Sequence, residues 1–466
     1  MNLSLIMIKN GTYSFIFIFY CFFVAQLNAQ DKPNILIIIA DDCTFSDLPL
    51  YGGSNVKTPE IDKLAAQGMT FNKAYVTMPM CSPSRTELYT GLYPISSGVN
   101  WNHSSAKKKL KSIVHYLGKE GYRTGIAGKL HVSPQQVFPF EMVDGLERNC
   151  VSENADFDLE KLRYFISKDK SEPFCMVSAL VVPHIPWTVG DPSHFNPDEF
   201  KLPKYLADTK ETRKEFANYL AEIEVLDYQV GSILKVLKEE GMSENTIVIF
   251  TSEQGAQFPF SKWTNYEMGV HTGFIVRWPK KVKENTRTDA LIQYVDVLPT
   301  LIDAIGGNTN YNFDGSSFLS ILRGQKDSHR KYAYFMHNNI PEGPAYPIRS
   351  VTDGEYHYIR NLNSENLYIE KHLMTRMPLN KYWPSWVFQS TTNQETLNLV
   401  NRYMKRPFEE LYNTKTDPNE MKNLAGELSL KNTKTSLSSQ LDLWMKQQGD
   451  PGIKMDSYEA MLKLKN

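Results

Sequence analysis

The segment Asn34-Ile-Leu-Ile-Ile-Ile-Ala40 constrains the fold more than any other stretch of this chain. It is β-branched and apolar without alternation. A strand with one wet face alternates polar and apolar residues. A strand that does not alternate is covered on both faces, as in a parallel sheet packed between helices. The run stops abruptly at Asp41-Asp42.

The same grammar recurs along the chain. Tyr122 to Ala127 reads as a strand followed by Gly128-Lys129-Leu130-His131, and Phe174 to Val182 as one followed by Pro183-His184-Ile185-Pro186. Thr246 to Phe250 precedes Glu253-Gln254-Gly255, and Phe274 to Trp278 is a fifth strand. Helical signals lie between them. Thr58-Pro59-Glu60 opens a helix that closes at Gly68, with Pro at the first helical position and an acid in the first turn. Lys210 to Glu240 carries Phe216, Leu220, Ile223, Leu226, Val230, Ile233, Leu234 and Leu237 at helical spacing, and Asp296 to Ile305 closes on Gly306-Gly307. Strands alternating with helices predict an α/β fold with a mostly parallel sheet. In such sheets ligands bind beyond the carboxyl ends of the strands. Asp41/Asp42, Lys129/His131, His184 and Glu253/Gln254 all occupy those ends and are expected to converge on one site.

After about Pro341 the pattern changes to short alternating pieces rich in Tyr, Asn, Trp and Lys. Glu355 to Ile359 and Glu409 to Tyr412 read as strands, and Thr416 to Asn419 as a turn. Residues 341–466 are therefore expected to form a smaller α+β subdomain carrying an antiparallel sheet, beside a catalytic domain at 30–340. Lys plus Arg number 51 and Asp plus Glu 52. That balance argues against a dedicated nucleic-acid binder. Lys9, then the apolar run Tyr13 to Gln26, then Leu27-Asn28-Ala29 read as a cleaved secretory signal over residues 1–29. No later stretch is apolar enough for a stable membrane span once the signal is removed.

Cys21 falls in the signal. Cys43, Cys81, Cys150 and Cys175 are too widely spaced for a disulfide framework or a zinc pair. Cys81-Ser82-Pro83-Ser84-Arg85 begins a probable helix, which puts Cys81 where backbone N–H groups favour anions and Arg85 one turn further on. On position alone, Cys81 is either a low-pKa nucleophile or a buried structural thiol.

Cys81-Ser-Pro-Ser-Arg85 and the following Leu88-Tyr-Thr-Gly-Leu-Tyr-Pro94 resemble the C-x-P-x-R maturation signature of the type I, formylglycine-dependent sulfatases. Further landmarks follow in order: Pro33-Asn34 to Asp42, Gly128 to His131, Pro183 to Pro186, Tyr266-Glu267-Met268-Gly269 into Ile275-Val-Arg-Trp-Pro279, and Glu410 to Leu424. The resemblance spans nearly the whole mature chain, and in style the sequence resembles the polysaccharide sulfatases of glycan-degrading Bacteroidetes. It implies an alkaline-phosphatase-like fold: a mostly parallel central sheet flanked by helices, with the smaller C-terminal subdomain attached.

The resemblance also implies roles. Cys81 would be oxidised to formylglycine (3-oxoalanine) by a maturation enzyme and hydrated to a geminal diol. One hydroxyl would attack sulfur and expel the alcohol, and the second would re-form the aldehyde and release sulfate. Asp41, Asp42, Glu253 and Gln254, with modified Cys81, would hold a cation. An all-oxygen set selects Ca²⁺ first and Mg²⁺ second. Glu253 is one methylene longer than the family's usual Asp. Arg85, Lys129 and Lys262 would surround the nucleophile and the sulfate. Lys129 and His184 would also bind sulfate, with His184 as leaving-group acid and His131 steering the second diol proton. Secondary candidates are Trp101, Asn102 and His103 as a sugar-facing wall, His271 where relatives often carry Arg, and His337, Tyr346 and Arg349 from the subdomain junction.

The resulting expectation is an exported sulfohydrolase, periplasmic first and secreted second, acting on a sulfated carbohydrate: algal ulvan-type first, glycosaminoglycan second. Two rivals are weighed. A phosphoesterase or phosphonate hydrolase of the same superfamily would normally carry Ser or Thr as nucleophile. A non-catalytic sulfated-glycan binder would have lost the nucleophile or a metal ligand.

Overall fold

A computed structural model describes residues 32–375 and 381–463; the expected signal lies outside the described residues. Strands β1 (Asn34–Ala40), β2 (Met69–Phe71), β3 (Ala74–Tyr75), β4 (Arg123–Gly128), β5 (Glu141–Val143), β6 (Phe174–Ala179), β7 (Thr246–Ser252), β8 (Phe274–Arg277), β9 (Thr286–Thr288) and β10 (Ile292–Gln293) precede a change of architecture. Eight of these form one sheet in the order β5-β4-β6-β1-β7-β8-β2-β9, and β3 pairs with β10. β5, β4, β6, β1 and β7 run parallel. β8 runs antiparallel to both β7 and β2.

The unbroken apolar character of β1 has a direct cause. Ile35, Ile37 and Ile39 enter one hydrophobic core. Leu36, Ile38 and Ala40 enter the other, on the opposite face of the sheet. Each fully buried aliphatic side chain contributes about 1.5–3 kcal/mol of transfer free energy, so a polar residue at any of these positions would be costly. The 30-residue helix Lys210–Glu239 covers one face with Phe216, Leu220, Ile223, Leu226, Val230, Ile233 and Leu237. Thr209 caps its start, its side chain accepting a hydrogen bond from the Thr212 backbone N–H. Gly241, at φ +74°, turns the chain out of the helix into β7.

β11 (Ala333–His337), β12 (Ile348–Thr352), β13 (Tyr356–Asn361) and β14 (Glu409–Asn413) form a separate antiparallel sheet in that order. The helix Lys431–Gln448 lies against β12 and β13 and buries Leu437, Leu441 and Trp444. Both sheets belong to one compact unit that begins at Asn34. The mostly parallel main sheet and the smaller antiparallel one agree with the expected fold class. Among the described residues no helix is long and apolar enough to cross a membrane.

Candidate active site

Sheet order brings the site together. β4, β6, β1 and β7 are neighbours, so their carboxyl ends lie side by side. Backbone bonds continue past the strands and lock the tips. Asp41 N–H donates to Val182 O (3.2 Å), Lys129 N–H to Ala179 O (2.9 Å) and Glu253 N–H to Ala40 O (2.9 Å). Asp42 and His131 adopt left-handed backbone, at φ 60° and 47°. That conformation is costly for non-glycine residues and recurs where a side chain must be aimed at a site.

The helix Cys81–Thr90 is buried along its whole length, with Met80 as its cap residue and Cys81 in its first position. Its start thus lies at Cys81 itself, where the sequence places a helix N-terminus. Cys81 Sγ lies 3.9 Å from Asp41 Oδ1 and 3.4 Å from Gln254 Nε2. Ser84 Oγ donates to the Cys81 carbonyl (3.1 Å) and to Gln254 Oε1 (3.1 Å), which ties the helix start to the β7 tip.

Alternating charges surround Cys81. Lys129 Nζ donates to Asp41 Oδ2 at 2.6 Å, and Lys262 Nζ to Asp42 Oδ2 at 2.6 Å. Arg85 donates to Glu253 Oε2 (2.6 Å) and to the Lys129 carbonyl (2.6 Å), and its guanidinium lies 3.9 Å from Asp41. Its charge is directed at the carboxylates, so in this arrangement Arg85 braces Glu253 and the Lys129 turn. His184 Nδ1 bonds the Ile185 carbonyl (2.6 Å), and its Nε2 faces Asp42 Oδ2 (3.4 Å) and Lys262 Nζ (3.3 Å).

Burial makes these charges interdependent. It pushes Asp41 well up, reinforced by the nearby Glu253 charge. Burial also pushes Asp42 up, but Lys262 and His184 outweigh it and hold that carboxyl below its ordinary value. Arg85 and Lys129 likewise overcome burial and hold Glu253 well below the carboxylate range. Burial would push His184 down, yet the Asp42 charge outweighs it and raises the imidazole well above its usual value. A charged His184 carries a proton on each ring nitrogen, and its Nε2–H points into the site.

The donor chemistry fits a hard divalent cation. Asp41, Asp42 and Cys81 present ligand atoms, together with His184, within 4.8 Å of one another, all buried. Burial, reinforced by the Glu253 charge, pushes Asp41 toward protonation, and a cation between the carboxylates would offset both. Gln254 turns its amide N–H₂ on Asp42 Oδ1 at 2.6 Å. Exchanging its amide oxygen and nitrogen would face a carbonyl oxygen to the same spot, an assignment hydrogen-bonding alone decides.

The remaining expected residues divide. His131 sits at the rim, its Nε2 2.9 Å from His103 Nδ1. Burial and the Lys129 charge lower it to about 3, so it is neutral at physiological pH. Asn102 accepts from the Ser82 backbone N–H (3.2 Å), so Asn102 and His103 adjoin the site, whereas Trp101 is fully buried. His271 stacks on Phe45 and bonds Glu267, and Arg349 is locked to Asp450; both pack the interior. His337 and Tyr346 are likewise buried in the interior.

Cys150 was not singled out by its sequence context. Burial pushes its thiol up, but Lys129, a hydrogen bond and charge from His184, and Lys262 outweigh that and bring it down to about 5. Nothing local in the sequence signals this, because all of those partners come from other strand ends. The Glu342–His372 pair, 2.5 Å apart, likewise has no local sequence signal. The His372 ring stacks on Trp263, the residue after Lys262.

An open α/β sheet with a buried cysteine at a helix start, clustered carboxylates and paired lysines at its carboxyl edge defines an alkaline-phosphatase-like ester hydrolase. The sulfatase family model matches residues 33–307, and the chain belongs to that family; it is a sulfuric ester hydrolase. A model of the C-terminal part of N-sulphoglucosamine sulphohydrolase also matches residues 255–371. An ulvan-active sulfatase of Formosa agariphila is 32% identical over 90% of this chain and 81% of its own length. The human N-sulphoglucosamine sulphohydrolase is 27% identical, covering 90% of this chain and 91% of that protein. A solved protein bound to its substrate, D-glucosamine-2-N,6-O-disulfate, shares the fold with TM-score 0.70 at 20% identity, covering 90% of this chain and 99% of that one. The phosphonate monoester hydrolase of Agrobacterium radiobacter shares it with TM-score 0.68 at 17% identity, covering 89% and 96% respectively.

Proposed function

We propose that this enzyme removes sulfate from a sulfated polysaccharide or its oligosaccharides, ulvan-type first and glycosaminoglycan second, with Cys81 matured to formylglycine as the nucleophile. The observation that carries the reading is the setting of Cys81. Its side chain starts a buried helix and lies 3.9 Å from Asp41 and 3.4 Å from Gln254, among the buried ion pairs Lys129–Asp41, Lys262–Asp42 and Arg85–Glu253. A structural thiol needs no such charges around it. The ulvan assignment draws support from the Formosa agariphila relative and from the expected export signal.

Asp41, Asp42, Glu253 and Gln254, with the matured Cys81 side chain, are the proposed holders of Ca²⁺, or Mg²⁺ as second choice. A hard cation there would polarise a sulfate oxygen and stabilise the attacking oxygen. The chain's own residues do the rest. Lys129 and Lys262 compensate sulfate charge, and both are buried, so their attraction is little screened by water. Arg85 holds Glu253 and the Lys129 turn. His184, protonated through Asp42, gives its Nε2 proton to the departing sugar oxygen. His131, neutral, accepts a proton from the matured nucleophile as sulfate leaves. Residues 30–340 form the proposed catalytic domain and 341–466 its subdomain, in an enzyme exported to the periplasm and activated by a formylglycine-generating partner.

The test is sulfate release from ulvan and defined sulfated oligosaccharides by enzyme made with the maturation machinery, alongside peptide mass spectrometry at Cys81. The expected results are an aldehyde at Cys81, sulfate release, and far faster turnover of p-nitrophenyl sulfate than of p-nitrophenyl phosphate. Full activity with an unmodified thiol would overturn the mechanism, and a preference for the phosphate ester would overturn the reaction class.

A further inference from the structure

The turn that leaves β8 and the short helix Leu319–Leu322 enclose a surface groove of about 790 Å³. Lys280, Lys281, Lys283, Arg287, Arg323 and Lys326 line it, opposed by Glu284 and Asp327 alone. Among the described residues none of the six cations forms an ion pair; Arg287 instead bonds the Asn72 amide oxygen and the Leu50 carbonyl. Val282 and Leu322, both buried, lie beneath its base.

This excess of charge is particular to the groove. The chain as a whole carries a net charge of −1. A second groove of about 690 Å³ also contains lysines, but there Lys63 pairs with Glu60, Arg277 with Glu244 and Lys235 with Glu239. Unpaired cations around one concave surface focus positive potential and attract a polyanion.

The groove lies away from the catalytic centre. β8 is antiparallel to β7, with Phe274 opposite Thr251 and Arg277 opposite Val248. The chain therefore leaves β8 at the amino end of β7, whereas the site occupies the carboxyl end. β9, which contributes Arg287, is the edge strand of the sheet.

We propose that this groove is a second, non-catalytic binding site for a sulfated polysaccharide strand, holding the polymer while another part of it is desulfated. The inference rests on the sulfated-polysaccharide reading above. The spaced cations match sulfate groups repeated along a glycan.

The test compares the whole mature enzyme with the variant Lys280→Gln/Lys281→Gln/Lys283→Gln/Lys326→Gln. These side chains are exposed and lie outside the catalytic centre. Retardation in gels containing ulvan, heparin or desulfated ulvan reads binding, and p-nitrophenyl sulfate reads the catalytic centre. The wild type should be retarded by the sulfated polymers, with a steep salt dependence. The variant should lose roughly tenfold or more in polymer affinity, by loss of counterion-releasing contacts. It should also lose rate on dilute polymer, while turning over p-nitrophenyl sulfate within about twofold of wild type. Undiminished retardation of the variant would overturn the proposal, as would equal retardation of the wild type by desulfated ulvan. Failure of the underlying substrate reading looks different: the wild type would release no sulfate from any polymer, whatever its retardation. If the fourfold variant loses its thermal transition, Lys281→Gln/Lys326→Gln, read by the same gels, decides.

Discussion

Replacing Lys262 by Met removes one ammonium while keeping most of the side-chain volume. Lys262 Nζ is 2.6 Å from Asp42 Oδ2, and both side chains are 1% exposed. Without it, Asp42 would keep only His184, 3.4 Å away, as a cationic neighbour on that oxygen. Breaking one partner out of a buried ion pair costs about 3–5 kcal/mol, because the other charge is left uncompensated in low dielectric. With an unfolding entropy of about 2.1 cal/mol/K per residue, a chain of this size loses about 1 °C in Tm per kcal/mol, so a chelated variant should melt about 3–5 °C lower than chelated wild type.

Calcium should shrink that gap, because Asp42 then has a second countercharge. By linkage, any stability the cation restores appears as tighter binding to the variant. Restoring about 2 kcal/mol corresponds to roughly 30-fold in affinity. The assays are thermal unfolding of both proteins with and without saturating Ca²⁺, and calorimetric Ca²⁺ titration. In steady-state kinetics KM should rise and kcat fall, since a charge stabilising both bound sulfate and transition state is gone. An identical Tm loss with and without calcium would refute the shared role of Asp42. Turnover within about twofold of wild type would remove Lys262 from sulfate stabilisation, since a lost charge contact of this kind costs far more.

Other outcomes follow from the same geometry. His184→Ala should lose roughly 10²–10⁴-fold on a sulfated glycan but far less on p-nitrophenyl sulfate, whose leaving group needs no proton. Parallel kinetics on the two substrates check this, and equal losses would reduce His184 to a binding role. Exhaustive chelation, verified by metal analysis, should abolish turnover, and Ca²⁺ or Mg²⁺ should restore it better than Zn²⁺. Burial lowers both His131 and His337 to about 3. Below pH 6.5 the unfolded chain gains protons that the native state refuses. Each group therefore leaves stability intact above about pH 6.5 and erodes it by up to about 1.4 kcal/mol per unit as pH falls toward 3. Denaturant unfolding at stepped pH should show this, and His337→Gln should make the acid limb shallower by one proton.

Much of this enzyme is readable along the chain because its signals are local. A strand covered on both faces must be apolar at every position, so β1 announces itself and Asp41-Asp42 mark its end. The helix start at Cys81 and the His, Lys and Glu residues after β6, β4 and β7 follow the same logic, since a parallel sheet aligns its carboxyl ends. Pairing between those ends is another matter. That Arg85 is directed at Glu253, that His131 turns to His103, and that Cys150 feels Lys129 and His184 depend on which strands became neighbours. Those distances are decided by crossovers of tens to hundreds of residues, which no local pattern encodes. The basic groove shows the same division: Lys280 to Arg287 and Arg323 to Lys326 read as two unremarkable polar stretches. Only their approach across the sheet edge, with no ion pair to them among the described residues, makes them one charged surface.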